Sequence, residues 1–338
     1  MIIVLKKNCD EHEIEKLILS LTEDGFKCDV KNFGKHRLIA VSGEVYRLDA
    51  EHIRAYDIVE SVKRITEPYL LASKSVFEKR SFVAGGKRIG EGLTIIAGPC
   101  SVESEKQIIN LACAVKEAGA DFLRAGAYKP RTSPYAFQGL GEDGIRLLSK
   151  AKRETGLPVV SEIVSEKDLS LFDDIDVVQI GARNMQNYAL IKEVAKSGKP
   201  VLLKRGAMAT VEELLLSAEY LLSYGAENVA LCERGIKTFD SVTRNTLDVS
   251  SLPALRELTC LPVIVDPSHA SGNRRYVAPL SYASVSAGAD GLMIEVHDDA
   301  KRALSDGAQA ITPNELKIIV SKAKEIQKLV YKPVNTQF

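Results

Sequence analysis

Leu123–Gln138 reads LRAGAYKPRTSPYAFQ. It opens on the end of a short apolar run and then presents Arg124, Lys129 and Arg131, with Thr132 and Ser133 beside them. Such fixed cations and hydroxyls within a few residues suit a small anion, a phosphate or a carboxylate. Pro130 and Pro134 stiffen the loop, so these groups lose little freedom on binding. Taken alone, a Lys/Arg run reads as a solvated basic loop. It decides the fold because the same arrangement, an apolar strand with a polar end, recurs along the chain.

Working outward, the apolar strands are LTIIA from Leu93, DFLRA from Asp121, LPVVSE from Leu157 and VVQIG from Val177. The series continues with PVLLK from Pro200, NVALC from Asn228, LPVIVD from Leu261 and DGLMIE from Asp290. Helical patterns separate them: Ile108, Leu111, Ala112 and Val115 share one face, as do Val211, Leu214, Leu215, Ala218 and Leu222, and Leu316, Ile319, Val320 and Ala323. Capping boxes are expected at Ser165 with Asp168, Thr210 with Glu213, and Thr312 with Glu315 behind Pro313. Gly119, Gly156, Gly198, Gly225 and Gly288 close helices just before the next strand. Near-continuous apolar strands call for a parallel sheet buried on both faces. Eight such units over about 245 residues fit a closed (β/α)8 TIM barrel. The doubly wound alternative lacks a GxGxxG after a first strand.

Residues 1–66 read differently, as strand, helix, strand, strand, helix, strand. IIVLK is a β run; Ile14, Leu17, Ile18 and Leu21 recur at helical spacing before Gly25. FKCDVKNF and HRLIAVSG form a hairpin around Asn32–Lys35, with Gly34 free to take a positive φ. Ile53, Tyr56 and Val59 mark a second helix, and VKRIT a last strand. That order is the ferredoxin-like βαββαβ plan, an α+β domain. His12, His36 and His52 are scattered and form no catalytic cluster. Residues 67–80 are expected to be a linker. Residues 81–338 then form the barrel, with SFVAGGKRIGEG as a hairpin turning at Gly85–Gly86 over its bottom.

Across 338 residues, 45 basic side chains balance 45 acidic ones, so no whole-protein field draws nucleic acid or an anionic membrane. MIIVLKK lacks the layout of a signal peptide, and no apolar run reaches the length of a membrane span. Cys9, Cys28, Cys100, Cys113, Cys232 and Cys260 show neither a disulfide framework nor a metal knuckle. They are expected to be reduced thiols in a cytoplasmic protein, each a small core residue.

In such barrels the active site lies at the C-terminal ends of the strands. Those ends read Gly98-Pro99-Cys100; Arg124 with Lys129 and Arg131; Glu162; Gly181-Ala182-Arg183; Lys204-Arg205; Glu233-Arg234; Asp266-Pro267-Ser268-His269; and Glu295 with His297. Strand beginnings such as Leu93, Leu157 and Val177 carry nothing comparable, and that asymmetry argues for an enzyme. Arg124, Lys129, Arg131, Arg183, Lys204 and Arg234 would converge as a cationic floor, which calls for a ligand with several negative charges. Arg205 and Lys237 stand equally as surface residues. Cys100, His269 and Glu295, with Asp298, Asp299 and Asp306 in the last loop, would make a divalent metal site of mixed softness, open to Mn, Fe, Co or Zn.

AGPCSVES at 97, KPRTSP at 129, GARN at 181, LLKRG at 202, CERG at 232, DPSHASGNR at 266 and IEVH at 294 resemble the 3-deoxy-D-arabino-heptulosonate 7-phosphate (DAHP) synthases. The resemblance covers about residues 90–330 in the family's motif order, on the branch shared with the 3-deoxy-D-manno-octulosonate 8-phosphate synthases. RTSP after Lys129-Pro130 favours the DAHP enzymes. The resemblance implies a shikimate-pathway condensation of phosphoenolpyruvate with erythrose 4-phosphate that releases phosphate. It implies Cys100, His269, Glu295 and Asp306 as metal ligands, with Asp298 the rival of Asp306. Arg183, Lys204 and Arg234 with the Gly181 and Ala182 backbone would hold the phosphoenolpyruvate phosphate, and Arg124 and Lys129 its carboxylate. Arg131, Thr132 and Ser133 would take the erythrose 4-phosphate phosphate. Lys129 is the expected acid for the aldehyde oxygen, Glu162 the carboxylate facing developing positive charge, and His269 and Asp306 the groups that handle water.

The front domain resembles the family's feedback module, with Tyr or Phe as the expected effector; an all-helical chorismate mutase module does not fit strands IIVLK and LIAVS. A homotetramer is the family expectation. Two rivals stand beside this reading: the octulosonate synthase, which would use arabinose 5-phosphate, and a catalytically silent metabolite-binding scaffold.

Overall fold

The computed structural model describes residues 1–33, 36–64, 67–131 and 133–330. The expected turn at Gly34 and the side chain of Thr132 lie outside them.

The front domain runs β1 (Ile2–Leu5), α1 (Glu11–Glu23), β2 (Lys27–Phe33), β3 (His36–Ser42), α2 (Ala50–Arg54) and β4 (Val59–Lys63). Its antiparallel sheet has the ferredoxin-like order β2-β3-β1-β4. α1 starts where the Asp10 carboxylate accepts the His12 amide, and its Ile14, Leu17 and Leu21 pack on Ile3, Leu5, Ile39 and Val41. Alternation along the strands sends Ile2, Val4 and Leu38 to the opposite face, where they join Tyr69, Leu71 and the barrel core. The second helix is shorter than its periodicity suggested. It ends at Arg54, and Val59 opens a strand instead, where Val59 and Val62 are buried and the chain pairs with β1 across a bulge. Residues 67–80, expected as a linker, form no regular element, yet they bury Tyr69, Leu71, Ala72 and Val76. Glu219 accepts the Leu71 and Ala72 amides there.

A hairpin follows, β5 (Phe82–Ala84) and β6 (Lys87–Ile89), turning at Gly85 and Gly86 with φ of 53° and 79°. The barrel strands are β7 (Thr94–Gly98), β8 (Phe122–Arg124), β9 (Val159–Ile163), β10 (Val177–Ile180), β11 (Val201–Lys204), β12 (Val229–Glu233), β13 (Val263–Val265) and β14 (Gly291–Glu295). All pair in parallel and close β14 onto β7. Around them lie α3 (Glu105–Glu117), α4 (Glu142–Thr155), α5 (Tyr188–Lys196), α6 (Val211–Ser223), α7 (Ser251–Leu258), α8 (Pro267–Ser271), α9 (Arg274–Ser286) and α10 (Pro313–Val330).

The capping boxes at Thr210 and Thr312 form as expected. Ser165 does not open an α-helix: it caps the Lys167 amide of a 3-10 segment, Glu166–Phe172. Asp168 is one methylene shorter than the Glu such a box needs. The thiols also depart from expectation. All six are free, but only Cys100, Cys232 and Cys260 are buried, and Cys113 is exposed on the outer face of α3.

The pleat sorts the barrel into two cores. Ile95, Leu123, Val159, Val178, Leu203, Val263 and Leu292 point outward to the helices. Ile96, Phe122, Val160, Val177, Leu202, Ala230, Ile264 and Met293 point inward, where Phe82, Ala84 and Ile89 of the hairpin plug the bottom. No helix among the described residues is long and apolar enough to cross a membrane.

Candidate active site and metal centre

One pleat step above that inward layer, the same strand faces carry Arg124, Glu162, Gln179, Lys204, Asp266 and Glu295. Charged groups this deep must be paired. Arg124 Nη1 lies 2.6 Å from Glu295 Oε1, and Lys204 Nζ bonds Asp266. Gly98 makes the first strand end possible: a Cβ there would stand 2.2 Å from the Arg124 carbonyl oxygen. Cys100 follows, its carbonyl fixed by the Gly126 amide and by Lys129 Nζ at 3.1 Å.

Cys100, His269, Glu295 and Asp306 each offer an atom within 4.8 Å of the others'. His269 Nε2 lies 3.2 Å from Glu295 Oε1 and 3.8 Å from Asp306 Oδ2, and Cys100 Sγ lies 3.3 Å from Asp306 Oδ2. Asp266 Oδ2 takes the other imidazole nitrogen at 2.7 Å, so Nε2 faces the cluster. Gln309 Nε2 donates to Glu295 Oε2 at 2.6 Å, and Arg244 Nη1 to Asp306 Oδ1 at 3.3 Å. A thiol, an imidazole and two carboxylates suit a first-row divalent cation of borderline softness, and the imidazole and both carboxylates are already oriented by partners outside the cluster. Asp298, the rival of Asp306, is half exposed beside His297 and stands outside the cluster.

Burial pushes the Cys100 thiol up to about 11. Burial also opposes ionisation of Asp306, but His269 and Arg244 outweigh it and bring the carboxyl down to about 2. Glu295 is lowered in the same way, against its own burial, by His269 and Arg124. Burial lowers His269 in turn, against the pull of Asp266 and Glu295, in the direction of the neutral imidazole that a cation requires.

Beside the cluster opens a cavity of 480 Å³ lined by Arg124, Lys129, Arg131, Arg183, Lys204 and Arg234, with Glu162, Ala182, His269 and Asp306. Lys237 and Arg244 add to the wall. The adjacent pairs at two strand ends divide. Lys204 and Arg234 line the cavity, whereas Arg205 turns away to bond Glu233 and Asp248 at 2.9 Å each. Ser133 is exposed on the Arg131 loop. Gly181 packs against Glu162, whose carboxylate also accepts Gln179 Nε2 at 2.9 Å.

Two family models match the chain: the DAHP synthetase I family over residues 73–332 and the DAHP synthase ferredoxin-like domain over residues 1–67. The chain belongs to the DAHP synthetase I family. Members of this family are transferase-class enzymes. A phospho-2-dehydro-3-deoxyheptonate aldolase of Thermotoga maritima is 44% identical over 329 residues, covering 96% of this chain and 97% of the relative. A 2-dehydro-3-deoxyphosphooctonate aldolase of a Geobacter species is 32% identical over 272 residues, 74% of this chain and 98% of its own. Among solved structures, the Thermotoga DAHP synthase matches with a TM-score of 0.77 at 43% identity, covering 97% of both chains. A truncated form of that enzyme matches 77% of this chain and 97% of its own, with a TM-score of 0.72.

Within this family framework, several roles about the site escaped the reading of the sequence. Asp266 was read as a strand-end group, but not as the partner of His269 and Lys204, although it lies one helical turn before His269 in DPSH. Gln179 had a signal, two residues beyond an inward-facing valine. Gln309, from a single 3-10 turn, and Arg244 and Asn245, from an irregular loop, had none.

Proposed function

We propose that this protein is a metal-dependent DAHP synthase of the shikimate pathway that condenses phosphoenolpyruvate with erythrose 4-phosphate and releases phosphate. The observation that carries the reading is the junction of a cavity lined by eight Lys and Arg side chains with a Cys-His-Glu-Asp cluster at one barrel mouth. Arg183, Lys204, Arg234 and the Gly181 and Ala182 backbone hold the phosphoenolpyruvate phosphate; Arg124 and Lys129 hold its carboxylate. Arg131, Thr132 and Ser133 take the phosphate of the sugar.

Cys100, His269, Glu295 and Asp306 hold one divalent cation, Mn, Fe, Co or Zn, which when bound supplies Lewis-acid polarisation of the sugar aldehyde. Lys129 delivers a proton to the aldehyde oxygen as the methylene carbon of phosphoenolpyruvate attacks. Glu162 faces the positive charge that develops at the enol carbon. His269 and Asp306, which both line the cavity, handle the water that adds there. Collapse of the resulting hemiketal phosphate expels phosphate.

In this reading residues 1–66 are a feedback domain for Tyr or Phe, 67–80 join it to the barrel of 81–338, and the enzyme works as a cytoplasmic homotetramer. The test is phosphate release from phosphoenolpyruvate with erythrose 4-phosphate or arabinose 5-phosphate, before and after chelation. Erythrose-dependent activity that chelation removes and divalent metal restores supports it. Activity with arabinose 5-phosphate alone assigns the octulosonate reaction, and activity with neither favours a silent scaffold. Removal of residues 1–66 should abolish sensitivity to the aromatic amino acid and spare turnover.

A further inference from the structure

Asp306 reaches the metal cluster from an irregular loop, and it does so with φ of 51° and ψ of 29°. A left-handed backbone at a non-glycine residue persists only where its surroundings hold it. The loop after β14 folds on itself, since a Cβ at Gly307 would stand 2.1 Å from the Ala300 carbonyl oxygen. Its attachment to the barrel just before Asp306 runs through the loop after β7, which carries Cys100. The hydroxyls of Ser101 and Ser305 lie 2.6 Å apart and are buried. Glu103 Oε1 accepts the Leu304 amide at 2.9 Å. Beneath them Gln107 Nε2 donates to the Ser101 carbonyl at 3.3 Å and meets His297 Nε2 at 3.4 Å, and Glu103 Oε2 faces the same imidazole nitrogen at 3.6 Å. Ser101 follows Cys100 directly, and Ser305 directly precedes Asp306. Two donors far apart in sequence are thus joined one residue away from each.

We propose that Ser101, Glu103 and Ser305 form a clasp that sets the distance between Cys100 and Asp306 and so tunes the grip of the site on its divalent cation. They are positioning residues, and His297 and Gln107 are the packed floor beneath them. The charge on Glu103 is incidental; what the clasp needs is an oxygen that accepts the Leu304 amide. Hydroxyl and carboxylate partners outside the ligands themselves commonly govern metal affinity by ~10–100-fold. The proposal rests on the metal reading above and refines it.

The probe is Co2+, added to the full-length protein after chelation, with affinity read by chelator competition and coordination read from visible absorption. Ser305→Ala and Ser101→Ala should each weaken Co2+ binding by ~10-fold or more and shift the absorption bands. The double variant should bind nearly as well as Ser101→Ala, which already removes the Ser101–Ser305 bond together with a 3.5 Å contact to Glu103 Oε1. Glu103→Ala should weaken binding, whereas Glu103→Gln, which keeps the acceptor, should restore it to within about threefold of the wild type. Ser101→Ala attacks the same bond from the barrel side and keeps the test open should Ser305→Ala not fold. Unchanged affinity and spectrum in the alanine variants, with only a lower melting temperature, would make the cluster structural and overturn the clasp. A wild-type protein that binds no Co2+ overturns the metal reading itself, and the clasp with it.

Discussion

The bottom and the top of the barrel interior are separated by one pleat step, yet they are chemically opposite. Phe122 and Arg124, Val160 and Glu162, Leu202 and Lys204, Ile264 and Asp266, Met293 and Glu295 are neighbours on the same strand faces, roughly 7 Å apart. The lower members make a dry layer sealed by the β5–β6 hairpin. Above it, Arg124, Lys204, Asp266 and Glu295 are almost as well buried, but they bond one another in crosswise pairs between strands, and half-buried Glu162 takes Gln179 from the next strand. The lower layer therefore stabilises the fold by losing water, while the upper layer consists of charges whose desolvation is offset only by their partners. The fold tolerates that upper layer because the lower one is complete, which suggests that damage at the two levels separates into loss of stability and loss of function.

Glu295→Ala should break this separation most severely. It removes a cation donor and leaves Arg124 buried without its partner, so activity should fall by at least ~10⁴-fold, about 5.5 kcal/mol at the barrier. Stability should fall with it by about 3–5 kcal/mol. Steady-state kinetics and denaturant titration of the same preparation report both. Phe122→Ala, one pleat step below Arg124, should cost a similar ~3–5 kcal/mol of stability through the cavity it opens. Its kcat/KM, measured well below the melting transition, should stay within a few-fold of the wild type. A large loss of activity there would show that the two layers are mechanically coupled.

That separation also explains what could be read without coordinates. Eight near-continuous apolar runs, with glycines closing several of the helices between them, made the barrel legible, and polar residues at strand ends marked the site. Cys100, His269 and Glu295 were readable because strand register alone brings them to one rim. Asp306 was harder, since a left-handed residue in a loop has no periodicity, and only the family resemblance put it ahead of Asp298. The direction of Arg205 was not readable at all: adjacent residues at a strand end diverge, and only Glu233 and Asp248 show which way it turns. The second front helix was overread because Ile53, Tyr56 and Val59 keep helical spacing while the chain has already turned into a strand.

Asp266→Asn probes the upper layer without removing a donor. An amide cannot serve both Lys204 and the His269 ring as the carboxylate does, so cation affinity should drop by ~10–100-fold with the cluster otherwise intact. A pH titration of cation binding gives a smaller effect of known sign. The Cys100 thiol sits at about 11 without a cation, and a bound cation needs the thiolate. Binding must therefore release a proton, and affinity should fall by up to ~10-fold for each pH unit on going from pH 8 to pH 7. Cys100→Ser, measured over the same interval, should show a flatter profile if the thiol is the source of that proton.

The smallest effect tests whether Glu162 belongs to the chemistry or to the wall. Gly181 has no room for a side chain: a Cβ would stand 1.9 Å from Glu162 Oε1. The far end of a half-buried carboxylate can swing aside, so Gly181→Ala should fold with a cost of about 1 kcal/mol. The swing withdraws Glu162 from Gln179 and from the cavity, while Arg183, Lys204 and Arg234 keep their places. If Glu162 balances charge that exists only at the barrier, kcat should fall about tenfold with KM for phosphoenolpyruvate nearly unchanged. If the carboxylate merely shapes the phosphate pocket, KM should rise instead and kcat should hold. Combining Gly181→Ala with Glu162→Gln checks that either loss runs through the carboxylate, since such a loss cannot be taken twice.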